Sequence, residues 1–239
     1  MPDSRFKDWI HDSEHIVFFG GAGVSTESGI PDFRSVDGLY HQSYRFPPET
    51  IISRSFFDRN PEEFYRFYRE KMLYLNAKPN ITHIRLAELE QAGKLDAIVT
   101  QNIDGLHQAA GSRIVYELHG SVHRNYCMRC RAYYDAEYVL HSKEMVPKCS
   151  CGGIIKPDVV LYEESLNSDI LENAVRAISK ADMLIVAGTS LSVYPAAGLV
   201  AYYKQNRLVL INKSKTPLDG SADMVIQGTL GEIFGGISI

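Results

Sequence analysis

Short apolar runs rich in β-branched residues alternate along this chain with longer segments of helical periodicity. The strand-like runs cover residues 16–19, 97–100, 159–161, 183–187, 208–211 and 224–226. The helical patterns cover residues 61–75, 81–92, 168–179 and 195–205. Short apolar strands that alternate with amphipathic helices are typical of βαβ units, in which helices cover both faces of a parallel sheet. The sequence therefore predicts an α/β protein with a Rossmann-like parallel sheet.

Two stretches interrupt this alternation. Residues 36–78 are rich in Tyr, Phe, Arg and Pro, and residues 122–156 contain the cysteines. A length of 239 residues corresponds to about 1.6 average domains, which suits one main domain with insertions. We expect residues 1–35, 79–121 and 157–239 to form the Rossmann-like domain. The helical insertion 36–78 and the cysteine module 122–156 are expected to form a smaller lobe, with a cleft between the two.

The overall charge argues against some classes of partner. The 25 Lys and Arg residues and the 29 Asp and Glu residues give a formal net charge of −4 at pH 7. This balance provides no global attraction to nucleic acid or to an anionic membrane, and we expect neither partner. The first apolar run, residues 16–19, is too short for a signal-peptide core or a membrane span. We therefore predict a cytoplasmic protein.

The four cysteines form two closely spaced pairs. Two residues separate Cys127 from Cys130, and one residue separates Cys149 from Cys151. In a reducing compartment, four clustered cysteines indicate metal binding rather than disulfides. Four thiolates complete the tetrahedral shell of a zinc ion and leave no open position, so we predict one structural zinc ion. Free buried thiols and a redox pair are the alternatives.

A glycine-rich turn follows the first apolar run. Residues 20–29 read GGAGVSTESG directly after the strand-like segment 16–19. A strand, a glycine turn and a helix start bind a pyrophosphate, because backbone N–H groups and the helix dipole face the phosphates. The dehydrogenase fingerprint is incomplete, since Thr26 replaces its third glycine. Taken alone, this segment allows either a nucleotide site or an ordinary glycine-rich turn.

Six segments of the chain form a recognisable series of motifs: GAGVSTESGIPDFR at 21–34, TQNIDGLH at 100–107, ELHG at 117–120, KPDVVLYEE at 156–164, GTSLSVYPAA at 188–197 and INK at 211–213. These segments resemble the motifs of the sirtuins, a family of NAD-dependent protein deacylases. They follow the family order over almost the whole chain. The resemblance therefore covers the core of the family rather than one motif.

The resemblance implies an NAD-dependent protein-lysine deacetylase that yields nicotinamide, O-acetyl-ADP-ribose and deacetylated lysine. His119 is the implied general base toward the ribose hydroxyls, and Asn102 orders the ribose or a water molecule. Phe33 is implied to shield the reacting sugar carbon from water. The implied NAD-binding residues are Gly21, Ala22, Gly23, Ser25, Thr26, Ile30, Asp32, Phe33, Arg34, Gln101, Asn102, Ile103, Asp104, His119, Gly188, Thr189, Ser190, Asn212, Lys213 and Leu230.

The implied partners are proteins or peptides that contain acetyl-lysine, bound as an extra strand in the cleft. The residues expected to contact this substrate are Val159, Val160, Leu161, Tyr162, Val193 and Tyr194. Family members that prefer succinyl- or malonyl-lysine have a Tyr-x-x-Arg pair, whereas the matching positions here are Tyr65 and Tyr68. This difference favours a neutral acyl group, acetyl first. Arg66 and Arg69 are interpreted as a solvated helix face.

Other functions use some of the same features. A protein ADP-ribosyltransferase, or a deacylase of longer acyl groups, would use the same NAD site. An NAD-sensing or zinc-ribbon scaffold would not need His119, and a dehydrogenase would need the missing third glycine. The combination of Asn102, Asp104 and His119 in complete motifs favours the deacetylase.

Overall fold

The computed structural model describes residues 4–32, 38 and 45–237, and its largest element is a parallel β-sheet. The strands in chain order are β1 (Ile16–Gly20), β2 (Leu95–Thr100), β3 (Val115–Glu117), β4 (Gly120–Cys127), β5 (Tyr133–Tyr134), β6 (Ile155–Val159), β7 (Met183–Ala187), β8 (Leu208–Asn212) and β9 (Met224–Gln227). The parallel sheet has the order β3-β2-β1-β7-β8-β9. Its winding reverses between β1 and β7, and parallel α/β sheets bind ligands beyond the carboxyl ends of the strands at such a point.

Helices cover both faces of this sheet. The α-helices are α1 (Ser4–Asp12), α2 (Pro48–Ile51), α3 (Arg54–Arg59), α4 (Pro61–Lys71), α5 (Ile81–Gln91), α6 (Leu106–Ala109), α7 (Ala136–His141), α8 (Ser168–Lys180) and α9 (Leu230–Gly235). Every residue of β1 and β7 is buried, so successive side chains enter opposite apolar cores. Phe18 packs in a core with α1, α5 and α9, whereas Phe19 packs in a core with α8. The predicted α/β class is confirmed.

A second, antiparallel sheet has the order β5-β4-β6. It shares a third apolar core with α3 and α4, in which Phe57, Phe64 and Tyr65 pack with Val122 and Ile155. The Tyr65 hydroxyl also donates a hydrogen bond to the carbonyl oxygen of Ile155. The helical segment and the cysteine module, which are distant in sequence, are therefore stabilised by one common core.

The predicted strand at residues 159–161 is wrong in both place and partner. The observed strand is β6, which ends at Val159 and pairs antiparallel with β4. Apolar side chains at 159–161 are buried by the third core and by the cavity wall, so they need not belong to the parallel sheet. The expected domain boundaries at 121/122 and 156/157 also fall inside β4 and β6.

Two segments that were expected to be α-helical form 3₁₀-helices instead. The glycine-rich segment after β1 contains two short 3₁₀-helices, Ala22–Val24 and Thr26–Ser28, rather than the start of an α-helix. The segment predicted as helix 195–205 is a 3₁₀-helix at Ala196–Tyr202. Short 3₁₀ turns sum fewer peptide dipoles than an α-helix, so the helix dipole at the glycine turn is weaker than expected.

Within residues 4–32, 38 and 45–237, the structure contains no helix with the length and hydrophobicity that crossing a bilayer demands.

Candidate active site

A cavity of about 1030 Å³ lies at the carboxyl ends of the parallel strands. All the described residues that the resemblance assigned to NAD line it: Gly21, Ala22, Gly23, Ser25, Thr26, Ile30, Asp32, Gln101, Asn102, Ile103, Asp104, His119, Gly188, Thr189, Ser190, Asn212, Lys213 and Leu230. All the residues assigned to the peptide also line it: Val159, Val160, Leu161, Tyr162, Val193 and Tyr194. Phe33 and Arg34 lie outside the described residues.

The glycines of the turn allow two loops to pack closely. The N–H of Gly21 donates to Ala187 O at 3.2 Å, and the N–H of Gly23 donates to Gly188 O at 2.8 Å. A Cβ on Gly23 would lie 2.8 Å from the Cα of Gly188, which the packing does not allow. These two N–H groups are therefore bonded within the protein instead of facing a phosphate as expected. The contribution of these glycines is to leave space for the two loops to pack closely against each other.

Three polar side chains form a chain of hydrogen bonds in the cavity. Asn102 Nδ2 donates to Ser25 Oγ at 3.1 Å, and Ser25 Oγ donates to Asp104 Oδ2 at 2.6 Å. The other carboxylate oxygen of Asp104 accepts from the backbone N–H of Leu106 at 2.9 Å. A carboxylate has about four lone-pair positions, so Asp104 can accept further hydrogen bonds from a ligand.

A second network joins the ends of β2, β7 and β8. Gln101 Nε2 donates to Thr189 Oγ1 at 3.0 Å, and the N–H of Thr189 donates to Asn212 Oδ1 at 3.0 Å. The side-chain Nδ2 of Asn212 is buried and has no hydrogen-bond partner in the structure. A buried donor without a partner is costly, so Asn212 Nδ2 is suited to an acceptor that a ligand brings into the cavity.

His119 lies between the two sheets, after β3 and before β4. Its Nδ1 is 3.0 Å from the carbonyl oxygen of Gln101. A carbonyl oxygen can only accept, so Nδ1 carries the proton and Nε2 keeps a lone pair. Burial lowers the pKa of His119 below its ordinary value, against the opposing effect of the bond to Gln101. The ring is therefore neutral at pH 7 and is able to accept a proton at Nε2.

The peptide-side wall of the cavity follows β6. The N–H of Val160 donates to His119 O at 2.9 Å, the N–H of Leu161 to Glu164 Oε2 at 2.9 Å, and the N–H of Tyr162 to Ile52 O at 3.0 Å. A peptide strand that pairs with this segment thus finds these three N–H groups already bonded within the protein. On the opposite wall, Tyr194 is 75% exposed.

Tyr65 and Tyr68, on which the predicted acyl selectivity depends, do not line the cavity. Tyr65 and Tyr68 are fully buried in the third core, with their pKa values raised by burial. Residues of the same helical region that do line the cavity are Ile52, Lys71, Met72 and Tyr74. The prediction of a solvated Arg69 is also wrong, because its guanidinium donates to Val139 O and Glu144 O, both at 2.9 Å.

The four cysteines converge on one point in the small lobe. Their sulfur atoms all lie within 4.8 Å of one another, and the pairs Cys127–Cys151 and Cys130–Cys149 are each 3.5 Å apart. A tetrahedral zinc ion with bonds of about 2.3 Å separates its sulfur ligands by about 3.8 Å. The cluster therefore has the dimensions of a four-thiolate zinc site, and its sulfurs are too far apart for disulfides.

Comparison with known proteins identifies the family. The model of the Sir2 family matches residues 21–195. The chain belongs to the Sir2 family. It is 61% identical to a protein of Clostridium tetani over 98% of this chain and 96% of the relative. It is 59% identical to a protein of Clostridium acetobutylicum over 96% of this chain and 95% of the relative. Both relatives are named NAD-dependent protein deacetylase.

Solved Sir2 structures have the same fold. A Sir2 variant with a deacetylated p53 peptide and 3′-O-acetyl ADP ribose is 40% identical, covers 100% of both chains and has a TM-score of 0.92. A Sir2 complex with a p53 peptide and NAD⁺ is also 40% identical, covers 98% of this chain and 96% of the other, and has a TM-score of 0.87.

Proposed function

We propose that this Sir2 protein is an NAD-dependent protein-lysine deacetylase. The observation that carries the proposal is the position of His119, whose unprotonated Nε2 belongs to a cavity that also contains the NAD and peptide residues. The relatives at 59% and 61% identity have this activity in their names. The structural neighbours hold the matching reactant and products, namely NAD⁺, deacetylated peptide and acetylated ADP-ribose.

The described cavity residues fit NAD. The unpartnered Asn212 Nδ2 suits a ribose hydroxyl, and the closely packed turns at Gly23 and Gly188 leave room for the pyrophosphate. When bound, NAD supplies a ribose carbon that loses nicotinamide and accepts the acyl oxygen. Ser25 and Asn102 hold the Asp104 carboxylate in place, and this carboxylate suits the carboxamide N–H of nicotinamide.

His119 serves as the general base. It takes a proton at Nε2 from a ribose hydroxyl, while its Nδ1–H stays bonded to Gln101 O. The positive charge that develops on the ring is stabilised by this carbonyl dipole. Because burial keeps the free ring neutral, no proton has to leave His119 before the reaction starts.

The acyl-lysine side chain enters beside Val159, Val160 and Leu161, which line the cavity with apolar surface. A neutral acetyl group suits this wall better than a charged acyl group, whose burial would need a partner. Tyr162 and Tyr194 contact the peptide on either side of the entering lysine.

The cysteine cluster holds one structural zinc ion, which keeps the turns at Cys130 and Cys149 together. Four thiolate ligands leave no position for a substrate, so the ion contributes stability only. We also propose that the protein works in the cytoplasm, where closely grouped cysteines stay reduced and able to bind zinc.

Release of nicotinamide with and without an acetyl-lysine peptide tests this function. We expect nicotinamide release to require the acetylated peptide, because the acyl oxygen is the group that displaces nicotinamide. An unmodified peptide of the same sequence is the control. Equal release with both peptides would contradict the proposal, and transfer of ADP-ribose to the unmodified peptide would identify an ADP-ribosyltransferase instead.

A further inference from the structure

One arginine side chain joins three strands around His119. Arg124, on β4, donates from Nη1 to Glu117 on β3 at 2.7 Å and from Nε to Asp158 on β6 at 2.9 Å. The Glu117 side chain is only 8% exposed. Burial alone would lower the pKa of Arg124, but its bonds to Asp158 and Glu117 raise it. The guanidinium therefore links the parallel sheet to the antiparallel one through charged hydrogen bonds.

Both partners of Arg124 lie two residues from a functional group of the site. His119 follows Glu117 by two residues, and Val160 follows Asp158 by two residues. The N–H of Val160 donates to His119 O. Arg124 thus fixes the separation between the segment that carries the base and the segment that receives the acyl-lysine.

The backbone ladder between β4 and β6 is irregular at the position of Arg124. β4 pairs with β6 at Gly120 and Ser121, and the register then shifts before pairing resumes at Asn125. Residues 122–124 therefore lie in an irregularity of the ladder, a feature common beside active sites. Arg124 is the last residue of this bulge, and its side chain reaches back to Asp158 on β6.

The backbones of β4 and β6 approach each other closely beside this bulge. Gly120 has φ +76°, and a Cβ there would collide with the carbonyl oxygen of Asp158. A small shift of Asp158 is therefore transmitted directly to the residue after His119.

We propose that Arg124 is a positioning residue for deacetylation, a role that rests on the proposed function. Its planar guanidinium binds two carboxylates in a fixed geometry, which a flexible lysine ammonium cannot reproduce. Without Arg124, Glu117 is left as a buried charge without its ion-pair partner, and the His119 segment relaxes. Misplacement of a base by about 1 Å is enough to lower turnover on the order of 100-fold.

The test is steady-state kinetics of Arg124→Gln with an acetyl-lysine peptide and NAD. We expect kcat/KM for the peptide to fall by about tenfold or more. NAD affinity should change much less, because Arg124 bonds to no member of the network of Ser25, Asn102 and Asp104 or of the network of Gln101, Thr189 and Asn212. Arg124→Lys should restore only part of the loss. The matched control is Arg176→Gln, which breaks an exposed ion pair with Glu172 on α8 and should leave the kinetics unchanged.

Thermal unfolding separates positioning from folding. If Arg124→Gln does not fold, the double variant Glu117→Gln with Arg124→Gln removes the unpaired buried charge and is measured in its place. A folded variant with wild-type kcat/KM for the peptide would overturn the inference, even if its melting temperature were lower. A wild-type protein that fails to deacetylate the peptide would overturn the proposed function instead, so the two failures are distinguishable.

Discussion

His119 is held from two sides, its ring by the carbonyl oxygen of Gln101 and its backbone by the N–H of Val160. The first contact sets the tautomer, and the second joins the base to the substrate wall. A sequence motif can identify His119 but not its tautomer, because Gln101 is 18 residues away and meets it only in the fold. Ile52 and Met72 also line the cavity. The sequence does not indicate this, because an apolar residue in a cavity wall cannot be distinguished by sequence from one in the core.

The lowered pKa of His119 predicts the pH dependence of the reaction. The base must be neutral, and burial lowers its pKa below 6.5. We therefore expect kcat/KM for the acetyl-peptide to stay above half of its plateau at about pH 6.5 and to fall only in more acidic buffer. A pH profile from about pH 5 to pH 8 measures this. An acid limb with its midpoint above about pH 7 would be inconsistent with a buried neutral base.

Substitution of the base separates binding from chemistry. In His119→Ala we expect deacetylation to fall on the order of 10²–10⁴-fold, because the proton acceptor is lost. NAD should still bind, since Asn212, Thr189 and Asp104 are untouched; isothermal calorimetry measures this. His141→Ala, at an exposed position of α7, is the control. Wild-type turnover in His119→Ala would refute the role of this residue.

At the scale of elements, the N-terminus of α5 is tied to the glycine turn. Asn80 caps α5 through the N–H of Thr82, and its Nδ2 donates to Val24 O at 2.8 Å and to Ser28 Oγ at 3.0 Å.

The sequence predicts the long helices α4, α5 and α8 and the buried parallel strands, but it does not reveal α1 or the longest strand, β4. It misassigned residues 159–161, because a three-residue apolar run does not reveal which sheet or wall will bury it.

Two buried histidines, His83 on α5 and His107 on α6, predict an acid-sensitive fold. The rings of His83 and His107 are 4.8 Å apart, and burial lowers the pKa of His83 to about 4 and that of His107 well below its usual value. The unfolded chain takes up these protons near pH 6.5, before the folded protein does. The free energy of unfolding should therefore fall as the pH decreases from about 6.5 toward 4, by about 1.4 kcal/mol per pH unit for each proton.

Urea unfolding at several pH values measures this slope. We expect His107→Leu to have a shallower pH dependence, because one of the two titrating groups is gone. The exposed variant His141→Ala should keep the wild-type slope. Equal slopes in His107→Leu and wild type would show that the buried pair does not control acid stability.

Across the whole molecule, the described residues form three apolar cores whose membership does not follow sequence order. Residues 51–75 and 122–161 contribute to one core, although β2 and β3 of the parallel sheet lie between them in the chain. The sequence indicated that both segments interrupt the βαβ pattern. It could not reveal which of their residues meet, such as the Tyr65 hydroxyl with the carbonyl oxygen of Ile155, or the Arg69 guanidinium with that of Val139.

This shared core makes the zinc site important for the cavity wall. Strong chelation should destabilise the small lobe, because binding energy of structural zinc is also folding energy. We expect metal-free protein to unfold at a lower temperature and to lose deacetylation, and added zinc to restore both. Metal analysis should find one ion per chain. Unchanged stability and activity after complete metal removal would refute the structural role of zinc.

Mass spectrometry of an acetyl-lysine peptide incubated with NAD and the protein is the decisive test of deacetylation. We expect the peptide to lose its acetyl group and an equal amount of acetylated ADP-ribose to appear. A peptide that keeps its acetyl group, or that gains ADP-ribose while nicotinamide is released, would contradict this expectation.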